Sequence, residues 1–90
     1  MSVKININPS LTYLTEGEEF VMVKGKNVGQ CIEQLVVRFP GLKDWIYGKD
    51  GKLNNIVDIY VNMESAYPEE LAKTVNDGDE IHIITAVAGG

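Results

Sequence analysis

Ninety residues hold one small domain, and at this mass about 64% of the unfolded surface is buried on folding, enough for a single thin core. With 44% apolar and 23% charged residues the composition is that of an ordered globular chain, and a net charge of −5 repels phosphate backbones and anionic headgroups. Nucleic acid and membrane are thereby excluded as partners, while one cysteine forms no internal disulfide and one histidine offers no metal cluster.

The chain opens on polar and apolar residues in alternation, without the basic and apolar segments of a secretory leader, so a cytoplasmic location is expected. Val3, Ile5 and Ile7 alternate with Lys4, Asn6 and Asn8, which predicts a strand with one buried face, stopped by Pro9. Glu16-Gly17-Glu18-Glu19 reads as a polar turn, and Phe20 to Lys24 as a second strand paired with the first in a hairpin. From Val28 the period lengthens. Val28, Ile32, Leu35, Val36 and Phe39 fall on one stripe of a helix capped by Asn27, with Gln30 in a box-like position and Pro40-Gly41 as the stop. Gly29 weakens its first turn.

Leu42 to Tyr47 is expected as a short helical turn whose Leu42, Trp45 and Ile46 cap the core before the turn Lys49-Asp50-Gly51-Lys52. Val57, Ile59 and Val61 alternate with Asp58, Tyr60 and Asn62 as a third strand whose apolar face meets the helix. Leu71 and Val75 anchor the polar connection that begins at Tyr67-Pro68. The tight turn Asn76-Asp77-Gly78-Asp79 then leads into a last strand over Glu80 to Val87. The order ββαββ makes a two-layer α+β domain compatible with a β-grasp roll, and periodicity alone leaves a ferredoxin-like strand order open. The globular part is taken as residues 1–86 and the rest, 87–90, as a flexible tail.

Groups able to catalyse are few. His82, between Ile81 and Ile83, reads as an outward strand residue rather than a general base, and Cys31, on the edge of the apolar stripe, as a buried inert thiol. Neither a catalytic set nor a metal site of the chain's own is expected. Glu64, Glu69, Glu70, Asp77, Asp79 and Glu80 make the approach to the last strand acidic, either a solvated face or a means of steering a basic partner.

The ending Val87-Ala88-Gly89-Gly90 is harder to dismiss. With 9 glycines in 90 residues, two together at the end have a chance of about 1 in 100. Four residues extend roughly 13 Å, and two glycines without Cβ atoms pass through a narrow channel, which favours a functional tail over a frayed end. A carboxylate is a poor electrophile, so acyl chemistry at Gly90 needs prior activation, which adenylation by ATP on a partner enzyme provides. If Ile81 and Ile83 face the helix, then His82, Ile84, Ala86 and Tyr60 face away as a partner-binding patch beside the tail, the rival being ordinary scatter of surface apolar residues.

Three segments carry a resemblance to a known family. Asn76-Asp77-Gly78-Asp79-Glu80-Ile81 running into Ala86-Val87-Ala88-Gly89-Gly90 is the strongest. Asp58-Ile59-Tyr60-Val61-Asn62 supports it, as do Phe39-Pro40-Gly41-Leu42 and Asp50-Gly51-Lys52-Leu53. Together they resemble the MoaD and ThiS type of ubiquitin-like sulfur carriers over nearly the whole chain. The resemblance implies a β-grasp fold, a mixed sheet packed on one main helix. It also implies a terminal Gly90 adenylated by an E1-like enzyme of the MoeB or ThiF type and converted to a thiocarboxylate, with Gly89 as the link before it and Ile84 as an outward contact for that enzyme. No cofactor is bound by the carrier itself; ATP belongs to the partner, and a sulfur-accepting biosynthetic enzyme is the second partner. Thr85-Ala86 stands where many MoaD-like proteins have proline, and the ending also looks like that of carriers serving cysteine synthesis. The accepting pathway, molybdopterin, cysteine or thiamine-type, stays open at this point. A ubiquitin-like modifier joined through Gly90 to target lysines is the alternative, and a plain interaction domain the third reading.

Overall fold

The computed structural model describes residues 2–85, so Ala86 and the expected tail 87–90 lie outside the described residues. The first strand, β1 (Ser2–Asn6), runs antiparallel to β2 (Phe20–Lys24), with Val3 opposite Val23 and Ile5 opposite Val21. Their connection is longer than a tight hairpin. A 3-10 helix over Pro9–Leu14 sends Leu11 into the core, and Glu16 and Gly17 turn the chain back at positive φ. The hydroxyl of the fully buried Thr15 lies 2.8 Å from the Glu18 carbonyl and 3.2 Å from the Thr12 carbonyl, and its one proton, donated to either, is satisfied within the turn.

The main helix, α1 (Val28–Arg38), starts at Asn27, whose Oδ1 accepts from the Gln30 N–H at 2.8 Å. Gln30 Oε1 accepts in return from Lys26 N–H, one residue before the cap, a displaced form of the reciprocal box. Val28, Cys31, Ile32 and Leu35 form its buried stripe, with Phe39 buried just beyond the end, while Val36 is only partly buried. Gly29 has a packing reason in the structure: a Cβ there would lie 3.1 Å from the Leu71 carbonyl. After a 3-10 turn over Pro40–Leu42, the short α2 (Lys43–Ile46) places Leu42 and Ile46 in the core with Trp45 partly buried against it, as the sequence predicts.

Three further strands complete the sheet: β3 (Val57–Val61), the two-residue β4 (Glu64–Ser65), absent from the sequence reading, and β5 (Glu80–Thr85). The order is β2-β1-β5-β3-β4, with β1 and β5 parallel and the other pairs antiparallel. This is a β-grasp roll, α+β in class. The last strand is central. One face of the sheet carries Val3, Ile5, Val21, Val23, Ile59, Val61, Ile81 and Ile83 against α1; the other carries no helix among the described residues. Val75 is fully buried and Leu71 partly, so both connection anchors hold, and Ala66 joins the core beside them.

Candidate functional site

The reach of the chain end depends on how β5 is held. At its start, the Asp79 carboxylate accepts from Asn62 Nδ2 at 3.0 Å and from Asn76 N–H at 2.8 Å, and Asn62 Oδ1 accepts from Glu80 N–H at 3.0 Å. The bond from the Asn62 side chain, then that from Asn76, hold the Asp79 carboxyl below the usual aspartate range. Asp77 accepts from Ser2 N–H at 2.7 Å, and Gly78 N–H, in a residue at φ +87°, donates to the Ser2 carbonyl. Two of the six acidic residues expected to form a steering face are therefore turn builders. They lock β5 to β1 and β3 and leave its far end, at Thr85, pointing to the chain terminus.

Along β5 the side chains alternate as expected. Ile81, Ile83 and Thr85 face the core, while His82 is half-buried and Ile84 is 42% exposed on the open face. Register decides their neighbours. Asn6 and Tyr60 flank His82 on either side, and Asp58 lies opposite Ile84. A row Asn6, His82, Tyr60 thus crosses the sheet, extended at the β2 edge by Phe20, which pairs with Asn6 and is half-exposed. A cleft between the ends of β1 and β5, lined by Ile7, Asn8, Pro9, His82 and Ile84, runs beside the row. Asn6 Nδ2 and His82 Nδ1 are both buried with no hydrogen-bond partner among the described residues, which leaves two unpaired polar atoms beneath the row.

The structure thus brings together Tyr60, His82 and Ile84 of the predicted patch. Ala86, Val87, Ala88, Gly89 and Gly90 lie outside the described residues. Sequence reasoning missed Asn6, Phe20 and Asp58 as neighbours of the patch, and Asn62 as the clamp on β5. Period two shows that these side chains point outward but carries no information on which strands lie side by side. A broad concavity lies between α1 and α2, and Tyr60, His82 and Ile84 do not line it. Cys31 is fully buried, and burial pushes its thiol above the ordinary range, as an inert core residue requires. Among the described residues no group of three His, Cys, Asp or Glu is placed to hold a metal ion, and no helix is long and apolar enough to cross a membrane.

Comparison with known proteins gives consistent results. Residues 5–90 match the ThiS family. The sulfur carrier protein CysO of Mycobacterium tuberculosis strain H37Rv is 34% identical, with all of both chains covered. A chain of the Amycolatopsis orientalis BexX/CysO complex superposes with a TM-score of 0.87 at 36% identity, over 98% of this chain and 99% of that one. The small archaeal modifier SAMP1 of Haloferax volcanii also superposes at 0.87, with 27% identity and all of both chains covered.

Proposed function

This chain belongs to the ThiS family, and from that premise we propose that it is a sulfur carrier whose Gly90 is activated in trans. The carrying observation is that the family match runs through to residue 90, and the whole-length likeness to CysO supports it. The Gly90 carboxylate attacks the α-phosphorus of ATP on an E1-like enzyme of the MoeB or ThiF type, forming an acyl-adenylate and releasing pyrophosphate. Sulfide then attacks the acyl carbon and displaces AMP, so that the carbon–sulfur bond replaces the acyl–phosphate bond and Gly90 leaves as a thiocarboxylate. ATP is the partner's substrate, not a cofactor of the carrier, and the chemistry takes place in the cytoplasm.

The domain contributes position. The clamp at Asp79 and Asn62 fixes β5, and Ile84, Tyr60 and His82 on the open face provide a docking patch on the same strand that leads to the tail. The accepting enzyme is proposed to be one that builds cysteine, given the CysO relatives. Incubation with ATP, a sulfide source and a candidate activating enzyme should exchange one oxygen for sulfur in the intact mass, located by fragmentation to Gly90. A chain lacking Gly90 should stay unchanged, and equal loading of that chain would overturn the reading. The likeness to SAMP1 favours a second reading, in which activated Gly90 acylates lysines of target proteins. In that case Gly-Gly-branched lysines appear on other proteins.

A further inference from the structure

We infer that the free edge of β2 is a self-pairing surface, whose occupant is β2 of a second copy of this chain. Ile7 N–H donates to the Glu19 carbonyl at 2.9 Å, so in this antiparallel pair the bonded partners are Ile7 with Glu19, Ile5 with Val21 and Val3 with Val23. The N–H and C=O groups of Phe20, Met22 and Lys24 therefore point away from β1. Lys24 N–H is covered by Gln34 Oε1 at 2.7 Å, which confirms the direction; Phe20 and Met22 N–H meet no side chain or loop carbonyl among the described residues. Since β2 is the end strand of the sheet, these groups form an open edge.

The residues along that edge are complementary to themselves. From Glu18 to Lys26 the sequence is Glu-Glu-Phe-Val-Met-Val-Lys-Gly-Lys, acidic at one end and basic at the other with Met22 at the midpoint. An antiparallel pairing about a two-fold axis at Met22 sets Phe20 against Lys24 of the second copy, and Glu18 and Glu19 beside the end that carries Lys24 and Lys26. The parity also fits. Met22 is one of the residues with free outward groups, so the two Met22 residues exchange both backbone bonds at the axis, and a swing of Gln34 adds the Phe20 and Lys24 bonds on either side. Glu18, Glu19, Lys24 and Lys26 are exposed, and none is in an ion pair among the described residues. Phe20 and Met22, each about half exposed on the open face, cover one another across the new seam, with Lys4 Nζ already 4.6 Å above the Phe20 ring. Charged ends commonly serve to keep edges apart, but here a parallel pairing brings like charges together and only the antiparallel one brings opposite charges together. One strand edge buries little area, so the dimer is a weak, concentration-dependent one.

Sedimentation equilibrium of the full chain in low salt, up to millimolar concentration, tests this with two charge variants. Glu18→Lys/Glu19→Lys and Lys24→Glu/Lys26→Glu change only exposed side chains, and thermal unfolding checks that both remain folded. The wild type should rise in mass toward twice the monomer, each variant alone should associate at least tenfold more weakly, and the two mixed should regain association to within about threefold of wild type. A wild type that stays monomeric throughout, association of either variant at wild-type strength, or a mixture no better than its components would each overturn the proposal.

Discussion

Ile84 sits opposite Asp58, and that register allows docking to be separated from folding with two substitutions of opposite charge. Full burial of an isoleucine side chain is worth about 1.5–3 kcal/mol, and Ile84 keeps 42% of its surface exposed, so covering the remainder contributes about 0.6–1.3 kcal/mol to docking. A charged side chain loses that gain and adds the cost of removing an unpaired polar group from water, about 1–3 kcal/mol. Ile84→Asp and Ile84→Lys should therefore both weaken binding to the activating enzyme by about 2–4 kcal/mol, or about 30- to 1,000-fold. Their stabilities should diverge. Aspartate there faces Asp58 as a like-charge cross-strand pair, while lysine faces it as an opposite pair, terms of about 0.2–1 kcal/mol with opposite signs. Calorimetric titration with the enzyme and thermal unfolding of the free protein read the two effects independently. Wild-type affinity in both variants would remove Ile84 from the interface, and equal melting temperatures would show that Asp58 is not its neighbour.

Gly25→Ala should destabilise the domain by about 1–3 kcal/mol in denaturant titration, because the new Cβ would lie 2.8 Å from Cys31 Sγ and 3.0 Å from the Cys31 backbone nitrogen. At the β3–β4 turn, Asn62 and Met63 both stand at positive φ, and Met63 is largely exposed, so Met63→Gly should raise stability by about 0.5–1 kcal/mol; a fall would refute the strain. Val61→Ala should cost about 1–3 kcal/mol through a cavity under α1, and unchanged stability would place Val61 on the wrong face. Asp79 has its carboxyl lowered below the ordinary value of about 3.9 by its bonds to Asn62 and Asn76, so its contribution is complete above that pH and is lost as pH falls through the lowered value. Asp79→Asn should flatten the loss of stability below about pH 4, and an unchanged acid limb would exclude the clamp as its source.

Local patterns reported the elements and their buried faces because the two periods, 2.0 and 3.6, are properties of single segments. Val3 and Ile5, the stripe from Val28 to Leu35, the Asn27 cap and the parity of Ile81 and Ile83 all needed only neighbours along the chain. The same holds for the Gly89-Gly90 ending, which directed attention to an acyl chemistry performed by a partner. The 3-10 helix at Pro9–Leu14 and the two-residue β4 escaped that reading, being too short to show a period.

Strand neighbours belong to the other category. That β5 lies between β1 and β3, parallel to one and antiparallel to the other, is set by backbone bonds between residues far apart in the chain, such as Lys4 N–H to the Asp79 carbonyl and Asn62 N–H to the Glu80 carbonyl. From that pairing follow the row Asn6, His82, Tyr60, the Asp58–Ile84 pair and the role of Asn62 in holding Asp79. The chain by itself determined which side chains of its strands and main helix face outward. Only the tertiary structure decided which of those side chains share a surface, because alternation records burial on a face and is blind to the strand that closes each edge.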